Sequence, residues 1–408
     1  MAIQIKRGTS AQRKASEVVL EAGQPFLETD TGNLFVGKTG TEKLKDLTLD
    51  DCYLSYGTWR KINIYGVDRV GSQDPKALIR TDNAVGLNIT VGTSEITSDF
   101  DKYYPWSDIE EVADEFGNVF VKIPKFYSKI TANADGTYKH QLSGVKHEGF
   151  DTLFKVGNNE IDYVMVGKYE GSGYSDRIYS KPGKSPSKSI SPNDFRNGCK
   201  ANGAGYQQYD FLIDLIIKEL WLVEMKTTDC QSIMYGNANN NSSIINTGTT
   251  DTVATPTGSP VSNTDGKHAC KYRGIENPWG NIHKWCDGIS FSDGKVYICT
   301  EPTAYSAGQT TAPYEYYGTI PSTAGFVKTV GPLKEGSLIQ YVTAVVDTKD
   351  TYYCDYFSQG KESVLYCGGK GLLYEKAGLW AWYNSTISFG GTQSASDIGG
   401  RLCYKPPV

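Results

Sequence analysis

The chain has 408 residues, 39% hydrophobic and 21% charged, with a formal net charge of -5. That length exceeds one ordinary domain and anticipates two or three. The acidic balance, with no cluster of Lys and Arg, excludes the electrostatic footprint of a nucleic-acid binder. No stretch reaches the roughly 18 to 20 apolar residues needed to cross a bilayer, and Met1-Ala-Ile-Gln-Ile-Lys-Arg7 lacks the apolar core of a secretion signal. The expectation is a protein made in a cytoplasm without membrane insertion.

With 28 Tyr and 44 Gly, the composition is that of a turn-rich, mostly β chain, α+β in class. Nine cysteines, at 52, 199, 230, 270, 286, 299, 354, 367 and 403, are odd in number and contain no C-x-x-C pair. They anticipate buried free thiols, with neither a zinc site nor a disulfide framework.

In chain order, residues 1–50 read as short strands at 3–7, 25–29 and 34–37, with a turn at Asp30-Thr-Gly-Asn33. Strands this short bury little surface alone, so the module is expected to be stabilised by association with copies of itself. Residues 51–117 read as a connecting β region, with Tyr65-Gly66 and Val85-Gly-Leu87 marking turns. An alternating strand over 117–127 sets Phe120, Lys122, Pro124 and Phe126 opposite Val121, Ile123 and Lys125, and opens a C-terminal domain placed at 118–408. A second strand is expected over 161–170.

Ser191 as N-cap, Pro192 at the first helical position and Gly203 at the stop define a short helix. Asp210 caps a second helix over 211–225, whose charges at Asp214, Lys218 and Glu224 fall near one stripe of a largely buried surface. Residues 235–267 are Asn, Ser, Thr and Gly with two prolines, which predicts a long surface excursion because so little apolar surface is available to order it. Strands are expected at 296–299, 338–341 and 352–354.

Two stretches carry a family resemblance. Ile3-Gln-Ile-Lys-Arg-Gly-Thr-Ser10, Ala22-Gly-Gln24 and Glu28-Thr-Asp-Thr-Gly-Asn-Leu-Phe-Val-Gly37 resemble the N-terminal module of the phage tropism-determinant family and of many tail-fibre proteins. The resemblance implies a trimeric β-prism over residues 1–50 that holds the protein to the virion. In Gly274-Ile-Glu-Asn-Pro-Trp-Gly-Asn-Ile-His-Lys-Trp285, Pro278 and Gly280 make a tight turn, and Trp279 and Trp285 belong in the core beside it. This run is similar to the Asn-x-Trp-Gly-Asn-Val-x-Glu-Trp signature of the C-type-lectin-like fold used by formylglycine-generating enzymes and by variable proteins of diversity-generating retroelements. The resemblance implies a lectin-like domain over 118–408 with two helices and long loops. It makes Trp279, Gly280, Asn281, Trp285 and Gly369 structural, with Arg401 tying strands together through its fork of donors.

Catalytic readings fare poorly. Formylglycine-generating enzymes hold copper on two cysteines soon after Gly-Gly, and residues 368–378 contain none; Cys367 precedes the motif and Cys403 lies beyond Arg401. The four histidines at 140, 147, 268 and 283 form no catalytic pattern. Asp108-Ile-Glu-Glu-Val-Ala-Asp-Glu115 reads as a solvated acidic turn rather than a glycosidase pair, and no β-helix repeat period is present. The calcium triplets of sugar-binding lectins are incomplete at Glu301-Pro-Thr303 and at Trp382-Tyr-Asn384. No enzyme activity, cofactor or metal is expected.

In the variable proteins, ligand contacts lie between Gly-Gly and the closing Arg. Carried over, that implies Tyr374, Glu375, Lys376, Trp380, Trp382, Tyr383, Asn384, Ser385, Ser388, Phe389 and Gln393 as ligand-binding. Period two in Gly378-Leu-Trp-Ala-Trp-Tyr383 sets Trp380 and Trp382 on one face and Leu379, Ala381 and Tyr383 on the other. Leu379 and Ala381 are assigned inward, so both tryptophans are expected to point out as anchors for a partner. The resulting expectation is a receptor-binding protein of a phage tail fibre, acting at the host cell surface on a bacterial surface protein or glycan. It would be a homotrimer joined to tail or baseplate proteins, gaining avidity from three copies, and its variable segment is compatible with retroelement diversification. The alternatives are a tail-associated glycan depolymerase and a structural spacer.

Overall fold

The computed structural model describes residues 6–408 apart from 22–23, 30–32, 37–40, 42, 48–51, 55–60, 240–242, 332–333, 335, 350–351, 359–364, 368–376, 385–393 and 395; of 52–54, 365–367 and 383–384 it describes the backbone alone. The chain is mostly β and divides into two compact units, Met1–Asn63 and Ile64–Val408.

In the first unit, four short strands lie in the order Lys6–Gly8, Pro25–Glu28, Leu34–Val36, Cys52–Leu54, the first pair parallel and the others antiparallel. Helix α1 (Ser10–Lys14) starts at a capping box in which Thr9 and Gln12 satisfy each other's backbone N–H. The apolar core is only Leu20, Phe26, Phe35, Leu44 and Leu47. Alongside it, Arg13 is buried on the Glu28 carboxylate at 2.5 Å, its guanidinium 4.6 Å from the Phe35 ring centroid.

The second unit seats its C-terminal strand inside an antiparallel sheet ordered Tyr206–Gln208, Leu402–Tyr404, Tyr163–Gly167, Val119–Pro124, Glu110–Ala113. A seven-stranded sheet runs Tyr341–Val346, Gly325–Gly331, Tyr356–Ser358, Trp382–Asn384, Leu365–Cys367, His283–Cys286, Ile398–Gly399. A third sheet pairs Ile64–Asp68 with Tyr138–Ser143, Tyr65 opposite Leu142. No unit boundary therefore falls near residue 118. Glu110–Ala113 hydrogen-bonds along Val119–Pro124, and Tyr65, Phe100 and Trp106 share an apolar cluster with the residues of the long helix. Residues 108–115 contain a strand, not an acidic turn: Glu110 pairs with Lys122 and Glu111 with Lys168, both at 2.9 Å.

Helix α2 (Pro192–Lys200) is capped by the Ser191 hydroxyl accepting from Asp194 N, and α3 (Phe211–Met225) by the Asp210 carboxylate accepting from Ile213 N. Every residue of α3 is buried, and its charges pair internally. Lys218 meets Asp214 one turn back, Glu224 meets Arg273, and Glu219 meets His140 and Gln340. The left-handed Lys226, φ 49°, ends the helix, and a short α4 (Cys230–Ile233) comes next.

The polar stretch 235–267 is not the free surface excursion its composition predicts. Asn237, Thr247, Thr250, Thr257, Ser259 and Asn263 are all buried. The Glu276 carboxylate accepts from Gly248 N, Thr250 N and the Thr250 hydroxyl at 2.7–2.9 Å. Asn281 brackets Ile245, accepting from its N–H at 2.8 Å and donating to its carbonyl at 3.1 Å. Composition registers only the shortage of apolar surface, whereas acceptors and donors from the loop that follows it order this segment.

The seven cysteines with described side chains are free thiols, six of them buried and Cys354 partly so. Burial pushes the thiols of Cys199 and Cys230 well above their ordinary range and that of Cys403 up to about 12, so they are inert at neutral pH.

Candidate functional site

The loop carrying Trp279 is built from left-handed residues: Arg273, Asn277 and Asn281 have φ of 48°, 48° and 58°, and Gly280 has 79°. A side chain at Gly280 would also meet the Asn237 backbone at about 3.0 Å, so glycine is required there on both counts. Trp279 and Trp285 are fully buried. The Trp279 indole donates to Tyr235 O at 3.2 Å and meets Trp221 edge to face, and the Trp285 indole donates to Ile190 O at 3.0 Å. Asn281 also donates to Glu170 and accepts from Asn237 at 2.9 Å, while Glu170 lies 3.6 Å from the Lys284 ammonium.

Arg401, 1% exposed, closes this frame. Its Nη1 donates to Gly167 O at 2.7 Å and Lys168 O at 3.0 Å, and its Nη2 to Glu276 O at 2.5 Å and Asn277 O at 3.1 Å. One guanidinium thus spans the end of the strand Tyr163–Gly167 and the start of the Trp279 loop. The strands of the C-terminal segment lie beside the same loop: Leu365–Cys367 pairs with His283–Cys286 on one side and with Trp382–Asn384 on the other.

The expected outward face of Trp380 and Trp382 is corrected by the structure. Trp380 is 1% and Trp382 0% exposed, and Leu379 and Ala381 are buried with them. Period-two alternation needs an extended strand, but the strand here begins only at Trp382; Gly378–Ala381 is a turn in which Ala381 N donates to Gly378 O. Turned inward, Trp380 packs on Tyr353 with ring centroids 5.1 Å apart, and its backbone N–H donates to the Asp355 carboxylate at 2.8 Å. Trp382 meets Phe211 edge to face at 5.6 Å, with the Lys218 ammonium 5.0 Å from its ring. Both tryptophans are anchors beneath the segment. Burial holds the Asp355 carboxyl well above the usual carboxylate range. Gly378 leaves room for it, since a Cβ there would overlap the Asp355 carboxyl group and force that side chain to move.

Tyr374, Glu375, Lys376, Ser385, Ser388, Phe389, Gln393 and Gly369 lie outside the described residues, as do the side chains of Tyr383 and Asn384. The histidines have separate surroundings: His140 on Glu219, His147 on Ser143, His268 on Asp265 and His283 near Asp397. Among the described residues, no three His, Cys, Asp or Glu side chains group as a metal centre would need, and no helix is long and apolar enough to cross a membrane. Sequence reasoning missed Glu170, Glu276 and Asp355: Glu276 sits in the quoted Gly274–Trp285 run without a role assigned to it, and all three gain their roles only from partners outside their own elements.

No protein-family model matches this chain, and no curated protein matches it. Among solved structures it is similar to the Major Tropism Determinant U1 variant at 12% identity and TM-score 0.26, with 99% of each chain covered. The I1 variant gives 12% and 0.27 at the same coverage, and the P3c variant 11% and 0.28, over 98% of this chain and 99% of that one. Likeness at that level carries no functional weight.

Proposed function

We propose that this protein is a receptor-binding component of a phage tail fibre, a binder rather than a catalyst. The observation that supports this reading most is the fixed frame around the C-terminal segment. Trp380, Trp382 and Asp355 anchor it before residues 385–393, and Arg401 clamps the chain after them. A ligand-contacting stretch can vary between such posts without disturbing the fold, since the posts and not the contacts hold the stability.

In this reading the domain is C-type-lectin-like, and its contacts come from Tyr374, Glu375, Lys376, Tyr383, Asn384, Ser385, Ser388, Phe389 and Gln393. Residues 1–50 form a trimeric prism on the virion, joined to tail or baseplate proteins. The partner is a bacterial surface protein or glycan, and three weak sites add avidity. Adhesion needs no metal or cofactor. Adsorption of the Tyr374→Ala, Phe389→Ala double variant to host cells tests it: loss of binding with unchanged melting and unchanged trimer mass on light scattering is expected. Unchanged adsorption would leave a spacer, and oligosaccharide release from host capsular polysaccharide would make the protein a depolymerase.

A further inference from the structure

A cavity of about 240 Å³ lies in the second unit away from the Trp279 loop. Its walls come from Arg69, Tyr138 in the strand Tyr138–Ser143, Lys328 in the strand Gly325–Gly331, and the turn carrying Tyr352 and Tyr353. The volume is below the roughly 300 Å³ at which sites for drug-sized ligands begin, and suits a single sugar ring.

Arg69 is under-used. Its Nη2 donates to the Thr228 hydroxyl at 3.3 Å, a long bond, and its buried Nη1 has no acceptor among the described residues. Thr228 is itself fixed, since its hydroxyl donates to Tyr352 O at 2.8 Å. A guanidinium carries five donors, and a buried one left unmade is destabilising, because its hydration is lost with nothing in return. Burial accordingly pushes the pKa of Arg69 down. Lys328 adds a second cation, its ammonium 5.6 Å from the Tyr352 ring centroid. Asp135 is the one carboxylate in the lining; it accepts from the Thr137 N–H at 3.0 Å and hydroxyl at 2.7 Å, and its charge also attracts Arg69. His140, also in the lining, is turned onto Glu219 at 3.0 Å.

The cavity lining therefore brings together the Arg69 guanidinium, whose buried Nη1 a ligand reaches only after a small shift of the side chain, the Lys328 ammonium and three tyrosines. A fork of N–H donors matches a carboxylate in two parallel bonds, and flat aromatic walls suit the apolar face of a pyranose. We propose that this cavity is a subsite for a carboxylate-bearing sugar, its acid group on Arg69 and its ring against the tyrosines. Tyr353 is braced from behind by Trp380, which ties the subsite to the C-terminal segment. The proposal deepens the receptor reading by naming a ligand class, and its test on purified protein is independent of cell adhesion.

The test titrates the full chain with glucuronic acid and with glucose, the same ring lacking the carboxylate, by calorimetry and saturation-transfer NMR. Glucuronate is expected to bind about tenfold or more tighter than glucose, as a charge-assisted bond implies, with the preference lost in Arg69→Gln and reduced in Lys328→Gln. Equal binding of the two sugars, no binding of either, or an unchanged preference in Arg69→Gln overturns it. Should Arg69→Gln melt early, Arg69→Lys keeps the charge without the fork; a weakened preference supports the subsite and full retention sinks it. Glucuronate binding that needs Arg69, alongside wild-type adsorption of the same variant to cells, upholds the subsite and separates it from adhesion.

Discussion

The helix α3 and the polar stretch 235–267 lie close together in the chain, and both contain many buried residues, yet different forces order them. The helix buries Phe211, Ile213, Ile216, Ile217, Leu220 and Trp221, each 2% exposed or less, and each such side chain contributes roughly 1.5–3 kcal/mol. The polar stretch has little apolar surface to bury and is held bond by bond. Beyond the Glu276 and Asn281 clamps, the Ser259 hydroxyl donates to Ala269 O at 2.9 Å and Asn263 to Gly92 O at 2.8 Å. A hydrogen bond contributes a net 0.5–1.5 kcal/mol or so, so this segment depends on many partners being present at once. The helix does not.

The contrast is most vulnerable at Arg401, where one polar side chain serves four carbonyls. Arg401→Ala is expected to cost more than about 4 kcal/mol in denaturant unfolding, because buried acceptors lose a charged donor together. Arg401→Lys should recover only part of it, since an ammonium cannot span two carbonyl pairs as a fork does. On the apolar side, Trp380→Ala and Trp382→Ala should each cost about 3–5 kcal/mol through the cavity left behind. A melting temperature unchanged by either would contradict their role as buried anchors.

Asn281→Ala probes the polar stretch more gently, costing about 1–3 kcal/mol. Its signature is local: hydrogen exchange and limited proteolysis should quicken within 235–267 while the amides of α3 stay protected. Uniform loss of protection would mean that the two regions unfold as one. A weaker effect still is expected at Asp355. Its carboxyl titrates higher folded than unfolded, so its contribution is greatest below the unfolded pKa and is lost as pH rises through the folded one. The melting temperature of the wild type relative to Asp355→Asn should therefore fall with rising pH; a rise would refute a buried, protonated Asp355.

Part of this was legible in the chain. Ser191 and Asp210 announce their helices, and both cap as their side chains allow. The Pro278-Trp-Gly280 turn is set by residue types, with Gly280 at positive φ and Trp279 in the core. The orientation of Trp380 was not legible, because alternation presumes a strand and the chain turns at Gly378. Nor was the joining of residues 64–117 to the remainder of the second unit, since Ile64–Asp68 finds its partner at Tyr138–Ser143, far along the sequence.

Caps, turns and the choice of aromatic core residues were written into the chain, because each acts over a few positions through backbone angles and side-chain chemistry. Three outcomes were settled by tertiary packing alone: the inward turn of Trp380 and Trp382, the pinning of a polar stretch by Glu276 and Asn281, and the shortage of acceptors at Arg69 beside three tyrosines. They depend on groups brought together from distant parts of the chain, and no local pattern of residues records such a meeting.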